Sequence, residues 1–393
     1  MLKIKDINEQ IESIKSDVVK WRRYLHQNPE LSYQEEKTSQ FVFDTLLSIS
    51  SLEVTRPTKT SVLARLIGNR PGKVLALRAD MDALPINEES DVPFASANTG
   101  VMHACGHDGH TAMLLGAAKV LSQFQNQING EIRFIFQHSE EMFPGGAQEL
   151  VEVGVIDGVD EIIGLHLFPM LPTGKIAITP GYVSANSDTF EIKIIGKGGH
   201  ASEPNQTIDP IIISAEIISN IQYIVSRKIS STEQAVISIT EIHGGSAKNV
   251  IPDTVTIGGG VRSFDEETRN SIPKYLENIV KGITQAHSAK YKLEYTLGYG
   301  AVHNNEKVTS RIKNGLLESL GSDCIIDMPH FMGGEDFSAY LNRIPGCFIG
   351  IGSAPSNKED IYPLHHPKFN IDERSLEFGL KVLLNAPMEL LNS

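Results

Sequence analysis

Cysteine is scarce in this chain, and the scarcity narrows what the fold can rely on. The 393 residues hold three cysteines, Cys105, Cys324 and Cys347, too few and too scattered for a disulfide framework. A reducing, cytoplasmic compartment is therefore expected. Long hydrophobic runs are also missing: no stretch approaches the roughly 18 apolar residues of a membrane helix, so no membrane span is expected. The opening Met1-Leu2-Lys3-Ile4-Lys5-Asp6 lacks the apolar segment of a signal peptide. There is no excess of positive charge. A net charge of −13 argues against a nucleic-acid surface, which would be basic, and says nothing of substrate. Internal repeats and low-complexity segments are absent too. Hydrophobic residues at 40% and charged residues at 21% are ordinary for a globular protein, and the length suffices for two cores.

What is present is concentrated. Three histidines and a cysteine fall within His103-Ala104-Cys105-Gly106-His107-Asp108-Gly109-His110, directly before the apolar run Ala112-Met113-Leu114-Leu115. Neutral imidazole and thiolate are the side chains that hold zinc-like or manganese-like ions, and the glycines let the backbone bend around one. Other polar residues stand where apolar runs stop. Residues 131–138 read as a buried strand followed at once by Ser139, Glu140 and Glu141, and residues 161–166 form a second run ending in His166. Pro363-Leu364-His365-His366-Pro367 places two more histidines in a rigid turn. Ligands of open α/β sheets bind outside the carboxyl ends of strands, so these groups fit one shared site. Cys324 and Cys347 lie in apolar runs and read as small core residues.

Helical spacing marks residues 7–28, 38–47 and 111–124, and strands are expected at 62–66 and 74–78. This alternation predicts an α/β fold with a mostly parallel central sheet and flanking helices. From about 184 to 297 the pattern changes to strand 189–195, helix 209–225, strands 235–242 and 255–261, helix 266–286 and strand 290–296. That β-α-β-β-α-β order is a ferredoxin-like unit, whose neighbouring ends suit insertion into a host domain. The chain is thus expected to form one domain from 1–183 and 298–393, with 184–297 inserted as a lid and dimerisation domain. After the insert, helices at 308–320 and 375–391 and a strand at 347–351 return to the host.

The strings RADMDALP (78–85), HACGHDGH (103–110), HSEE (138–141), GLH (164–166), GGHAS (198–202), NVIP (249–252), GGEDF (333–337) and LHHP (364–367) occur in this order. Together they resemble the amidohydrolase branch of the co-catalytic di-metal family of aminoacylases and carboxypeptidases. That branch includes hippurate hydrolases, N-acetyl-diaminopimelate deacetylases and auxin-conjugate hydrolases. The resemblance spans essentially the whole chain.

It implies two divalent metal ions per subunit, manganese or zinc by family habit, with cobalt and nickel as alternatives. Cys105 would bridge them, His107 and His166 completing one ion and Glu141 and His365 the other. Glu140 would be the general base, taking a proton from metal-bound water and passing it to the leaving amine. Asp82 would hold a ligand without touching metal, and Asp80, where other branches carry a histidine, is read as lying outside the coordination. His103, His110 and His366 are the alternative ligands, His110 being read as a packing or hydrogen-bonding residue of the first helical turn. His200 would polarise the scissile carbonyl, in some relatives from the partner subunit. Asn249 and Arg262 would bind substrate, Arg262 through a carboxylate, and Gly334 and Glu335 would line the cleft.

The implied activity is hydrolysis of the amide bond of N-acyl amino acids or short peptides. Its alternatives are a dipeptidase or aminopeptidase on the same scaffold, or a non-catalytic metal-binding homologue. Glu140 argues against the last, because a binding protein has no use for a further carboxylate beside a ligand. The partners expected are a small-molecule substrate and a second copy of the chain, with neither nucleic acid nor membrane. The helix at 209–225, with Ile211, Ile212, Ile213, Ile217, Ile218, Ile221 and Ile224, is more apolar than one sheet needs to cover. A homodimer through 184–297 is therefore expected, with a hinge that closes His200 over the metals.

Overall fold

The computed structural model describes residues 4–391, so the part of the signal-peptide reading that rests on Met1 to Lys3 lies outside it. The chain falls into two compact units. One comprises Met1–Val183, Val302–Pro329 and Asp336–Ser393; the other comprises Ser184–Ala301 and His330–Glu335. The second unit outlasts the expected boundary at 297. Its last strand, Lys290–Tyr299, passes an irregularity after Thr296 and still pairs Tyr299 with Ser187.

The first unit is built on an eight-stranded sheet. Its four middle strands, Asn129–Gln137, Arg70–Asp80, Glu161–Pro172 and Gly346–Ala354, are mutually parallel. Antiparallel neighbours, Val62–Ile67 on one side and Ile176–Ala177 on the other, continue it outward. The middle strands bury side chains of both pleat directions, for example Leu75, Ala76 and Leu77, or Phe134, Ile135 and Phe136. Strands covered on both faces read as near-continuous apolar runs, which is how they stand out in the sequence.

Helix His107–Ser122 is buried along almost its whole length. It begins four residues before the predicted start at Thr111, because Gly106 takes a left-handed conformation (φ 91°) that turns the chain directly into the helix. His107 therefore joins His110 in the first helical turn. Gly109 lets that turn approach the sheet: a Cβ there would come within 2.6 Å of the Leu167 side chain.

Two expectations are corrected. His166 does not end its strand but stands in the middle of Glu161–Pro172, since Leu167 to Pro172 continue pairing with Gly346–Ala354. Cys324 is only partly buried, in a short 3₁₀ turn, Ser322–Cys324, whereas Cys347 is fully buried and its sulfur accepts the Thr309 hydroxyl at 3.4 Å.

The second unit is an antiparallel four-stranded sheet in the order Ala235–Gly244, Thr254–Ser263, Asn186–Ile195, Lys290–Tyr299. With helices Pro210–Arg227 and Glu266–Ala286 on one face, this is the ferredoxin-like arrangement. Strand Asn186–Ile195 alternates buried and exposed positions, with Phe190, Ile192 and Ile194 facing the helices. Among the described residues no helix is long and apolar enough to cross a membrane.

Candidate metal centre

Cys105, His107, His166, Glu141 and His365 come together in the first unit. The donor atoms of Cys105, His107 and His166 lie within 4.8 Å of one another, as do those of Cys105, Glu141 and His365. Cys105 belongs to both groups. Its sulfur is 3.4 Å from His166 Nε2, and His365 Nε2 is 3.3 Å from Glu141 Oε1. The Glu140 carboxylate lies within the same 4.8 Å of donors on His107 and Glu141.

His166 and His107 are each held by the ring nitrogen that faces away from the cluster. His166 Nδ1–H donates to the Leu167 carbonyl at 2.8 Å, leaving Nε2 toward Cys105. His107 Nδ1–H donates to the Asp82 carbonyl at 2.9 Å, and its Nε2, although buried, has no hydrogen-bond partner. The turn carrying His365 is tied by that residue's N–H to the Ala104 carbonyl at 2.8 Å, with His365 itself at φ 66°. A backbone carbonyl on the far nitrogen is the usual way a metal-binding histidine is oriented.

Asp82 anchors this arrangement. Its Oδ1 accepts the Glu140 N–H and its Oδ2 the Glu141 N–H, both at 3.0 Å, and Oδ2 also takes the Ser32 hydroxyl at 2.6 Å. The preceding N–H, of Ser139, donates to Glu35 Oε1 at 2.8 Å. Glu35 is fully buried, and burial followed by the charge of Asp82 pushes its pKa up to about 7. Neither Ser32 nor Glu35 was singled out in the sequence. Their only signal was the unusual polarity of Pro29-Glu30-Leu31-Ser32-Tyr33-Gln34-Glu35 between two helices.

Asp80 and His110 form a closed pair. His110 Nδ1 lies 2.6 Å from Asp80 Oδ1, while its Nε2 accepts the Leu167 N–H at 2.9 Å. The other Asp80 oxygen takes Arg78 at 2.6 Å, and Arg78 bonds Gln137 and Asp336 in turn. Both His110 nitrogens are thus engaged in the fold. His366 stacks on Tyr362 and accepts the Lys368 N–H. His103 is buried among neither donor group, and burial pushes its pKa down to about 4, so the ring is neutral.

The electrostatics suit a cation. Burial disfavours charge on His107, yet Asp80 and Asp82 outweigh it and raise its pKa to about 10, so the pocket stabilises positive charge at Nε2, whether proton or metal. The Cys105 thiol is pushed well above its usual range by burial and then by Glu141, Glu140 and Asp80. A thiolate among these carboxylates needs a compensating cation. The Glu141 Oε1 atom, buried without a hydrogen bond, points the same way. Donor set, charge and unpartnered atoms all fit divalent ions.

The remaining expected site residues lie in the second unit. His200 is exposed in the short strand Gly199–His200, which pairs with Val250–Ile251. Its Nδ1 accepts the Ser202 N–H at 3.1 Å, which places the ring proton of the neutral form on Nε2. Asn249 is exposed, and its carbonyl accepts the Ala201 N–H. Arg262 is half-buried and donates to the carbonyls of Val261 and Asp188, not to a carboxylate. Glu335, expected to line a cleft, is buried, and Gly334 lies against Ser187.

A parallel α/β sheet carrying a cluster of imidazole, thiolate and carboxylate, with a further carboxylate beside it, defines a metal-dependent hydrolase. The sequence profile of peptidase family M20/M25/M40 matches residues 76–389. An N-acyl-L-amino acid amidohydrolase of Geobacillus stearothermophilus is 57% identical over 302 residues, covering 77% of this chain and 82% of that one. Thermostable carboxypeptidase 2 of Saccharolobus solfataricus is 41% identical over 96% of each chain. Among solved structures, a Bacillus subtilis protein described as a dinuclear metal-binding peptidase of the M20 family superposes with a TM-score of 0.85 at 35% identity. That match covers 97% of this chain and 99% of the other. The chain belongs to peptidase family M20/M25/M40.

Proposed function

We propose that this chain is a metal-dependent amidohydrolase that cleaves N-acyl amino acids to carboxylic acid and free amino acid. The observation that carries the reading is the pair of donor groups sharing Cys105, with the Glu140 carboxylate beside both His107 and Glu141. The relative named as an N-acyl-L-amino acid amidohydrolase supports the substrate class.

Cys105, His107 and His166 would hold one divalent ion, and Cys105, Glu141 and His365 a second, in keeping with the relative described as dinuclear. Manganese or zinc suits this mixed sulfur, nitrogen and oxygen set. Bound there, the ions supply Lewis-acid polarisation of the scissile carbonyl and acidify the attacking water. Glu140 takes the proton of that water and delivers it to the leaving nitrogen, so the amine departs neutral. Asp82 holds the Glu140 and Glu141 backbones and the His107 ring in register for both tasks. His200, with its proton on Nε2, donates a hydrogen bond to the carbonyl oxygen as charge develops on it. Arg262, which has no carboxylate partner among the described residues, pairs with the substrate carboxylate, and Asn249 orients the amide.

A second reading, cleavage of short peptides, draws on the relative named as a carboxypeptidase. Elemental analysis combined with hydrolysis of N-acetyl, N-benzoyl and dipeptide substrates decides between them. Turnover confined to dipeptides replaces the first reading with the second, and bound metal without turnover on any substrate removes both.

The inserted unit serves as lid and dimer interface in this reading, and the enzyme works in the cytoplasm. Ile212 is 62% exposed and Ile211 42% on one helix, and Val236 and Ile242 are exposed on the edge strand Ala235–Gly244. Apolar surface of this kind marks an association face. Mixing inactive His200→Ala chains with inactive Glu140→Gln chains tests whether His200 serves the neighbouring subunit. Recovered activity means service across the interface, because one site of the mixed dimer has both residues intact; a dead mixture places His200 within its own chain.

A further inference from the structure

Four non-glycine residues among those described adopt a positive φ: Tyr33 (64°), Ser139 (47°), Ser288 (56°) and His365 (66°). Two of them, Tyr33 and Ser139, donate their N–H groups to the same atom, Glu35 Oε1, at 3.0 and 2.8 Å. The other oxygen, Oε2, takes the hydroxyl of the buried Thr60 at 3.0 Å. Among the described residues no lysine or arginine pairs with Glu35, so neutral donors, these and its own backbone N–H, offset the burial of its carboxylate. A left-handed conformation at a residue with a Cβ persists only where its surroundings over-determine it; at Ser139 the Gly146 N–H fixes the carbonyl at 2.7 Å, and Glu35 is the side chain that fixes the N–H.

The placement matters because Ser139 directly precedes Glu140. Three consecutive N–H groups, of Ser139, Glu140 and Glu141, are each gripped by a buried carboxylate oxygen: Glu35 Oε1, Asp82 Oδ1 and Asp82 Oδ2. Asp82 sets the two glutamates, and Glu35 sets the turn that aims them. The segment bearing Glu35 is tied to the Asp82 strand end as well, through the Ser32 hydroxyl on Asp82 and the Ala83 N–H on the Glu30 carbonyl at 2.8 Å. Both carboxylates thus belong to one clamp around the strand-end turn.

We infer that Glu35 is a positioning residue for the general base, holding Ser139 in its left-handed conformation so that the Glu140 carboxylate meets the attacking water. The inference rests on the reading of Glu140 as general base. A small misplacement of a reacting group costs on the order of 10²-fold in rate. The Glu35→Ala enzyme, assayed with saturating manganese, therefore loses about that factor in kcat while KM stays near the wild-type value. Glu35→Gln keeps most of the activity, because its amide oxygen accepts from Tyr33 and Ser139 and its amide nitrogen donates to Thr60. The decisive variant is Glu35→Ala with Ser139→Gly. Glycine takes a φ of 47° without steric cost, so the double variant recovers kcat over Glu35→Ala.

A wild-type kcat in Glu35→Ala overturns the inference. So does a loss that Ser139→Gly fails to recover and that follows the thermal midpoint and metal content downward, since a purely structural carboxylate behaves in that way. Glu140→Gln separates this test from the functional reading. Normal turnover in that variant removes the general base and this inference together, whereas a dead Glu140→Gln beside a fully active Glu35→Ala removes the inference alone.

Discussion

Two buried charged clusters, one in each unit, are satisfied to opposite degrees. In the inserted unit, Asp188 is fully buried and fully answered. Arg269 grips it through Nε and a terminal nitrogen, the latter at 2.6 Å; the Tyr295 hydroxyl donates at 3.0 Å and the Gly298 N–H at 3.0 Å. In the other unit, His107 Nε2 and Glu141 Oε1 are buried with no hydrogen bond at all, beside a thiol surrounded by carboxylates. A buried polar group costs stability unless it is paired. The closed network therefore reads as architecture, and the open one as a place where stability is given up for a ligand. Arg78, Asp80, His110 and Asp336 show that the first unit also closes networks where it needs only structure.

This contrast can be broken by mutation, and the largest effect is expected at the shared sulfur. Cys105→Ala should lose both metal and activity, while Cys324→Ala and Cys347→Ala keep both, as read by elemental analysis alongside turnover. A full metal complement in Cys105→Ala would show that the open cluster does not depend on its thiol. Next comes Glu140→Gln, which should retain two ions per chain but lose about 10²–10⁴-fold in kcat, the usual contribution of general-base transfer. Near-normal turnover would remove Glu140 from the chemistry.

The smallest effect on catalysis, and the sharpest on folding, belongs to the closed network. Asp188→Ala takes from the Arg269 guanidinium its buried carboxylate, leaving it the Gly298 and Tyr299 carbonyls and the exposed Glu266 carboxylate at 3.5 Å, so it should destabilise the protein by about 3 kcal/mol without altering metal content. Denaturant unfolding measures the first and elemental analysis the second. A variant as stable as the wild type would mean that the network carries no structural weight.

Much of this was legible in the order of residues. The dense His-Cys-Gly-His run, the paired glutamates after an apolar strand and the histidine turn near the end are local patterns. Their chemistry can be named before their distances are known. The strand–helix alternation and the β-α-β-β-α-β insert were readable because periodicities of two and 3.6 residues report which faces are buried. Strand ends were less legible. An apolar run that meets the polar His166 reads as stopping there, yet pairing with Gly346–Ala354 carries the strand on to Pro172.

Composition and spacing thus determined the class of fold and the local runs rich in metal-binding side chains, since each depends on residues close together in the chain, and the family resemblance picked the donors and the carboxylate out of those runs. Tertiary structure alone decided which histidines keep a nitrogen free, because His110 and His107 differ only in what reaches them from other strands. It alone revealed Glu35 and Ser32, whose contacts span 104 residues to Ser139 and 50 to Asp82. The physical reason is that a side chain's propensity is a local property, whereas the pairing of a buried donor or acceptor depends on whatever the finished fold brings within about 3 Å.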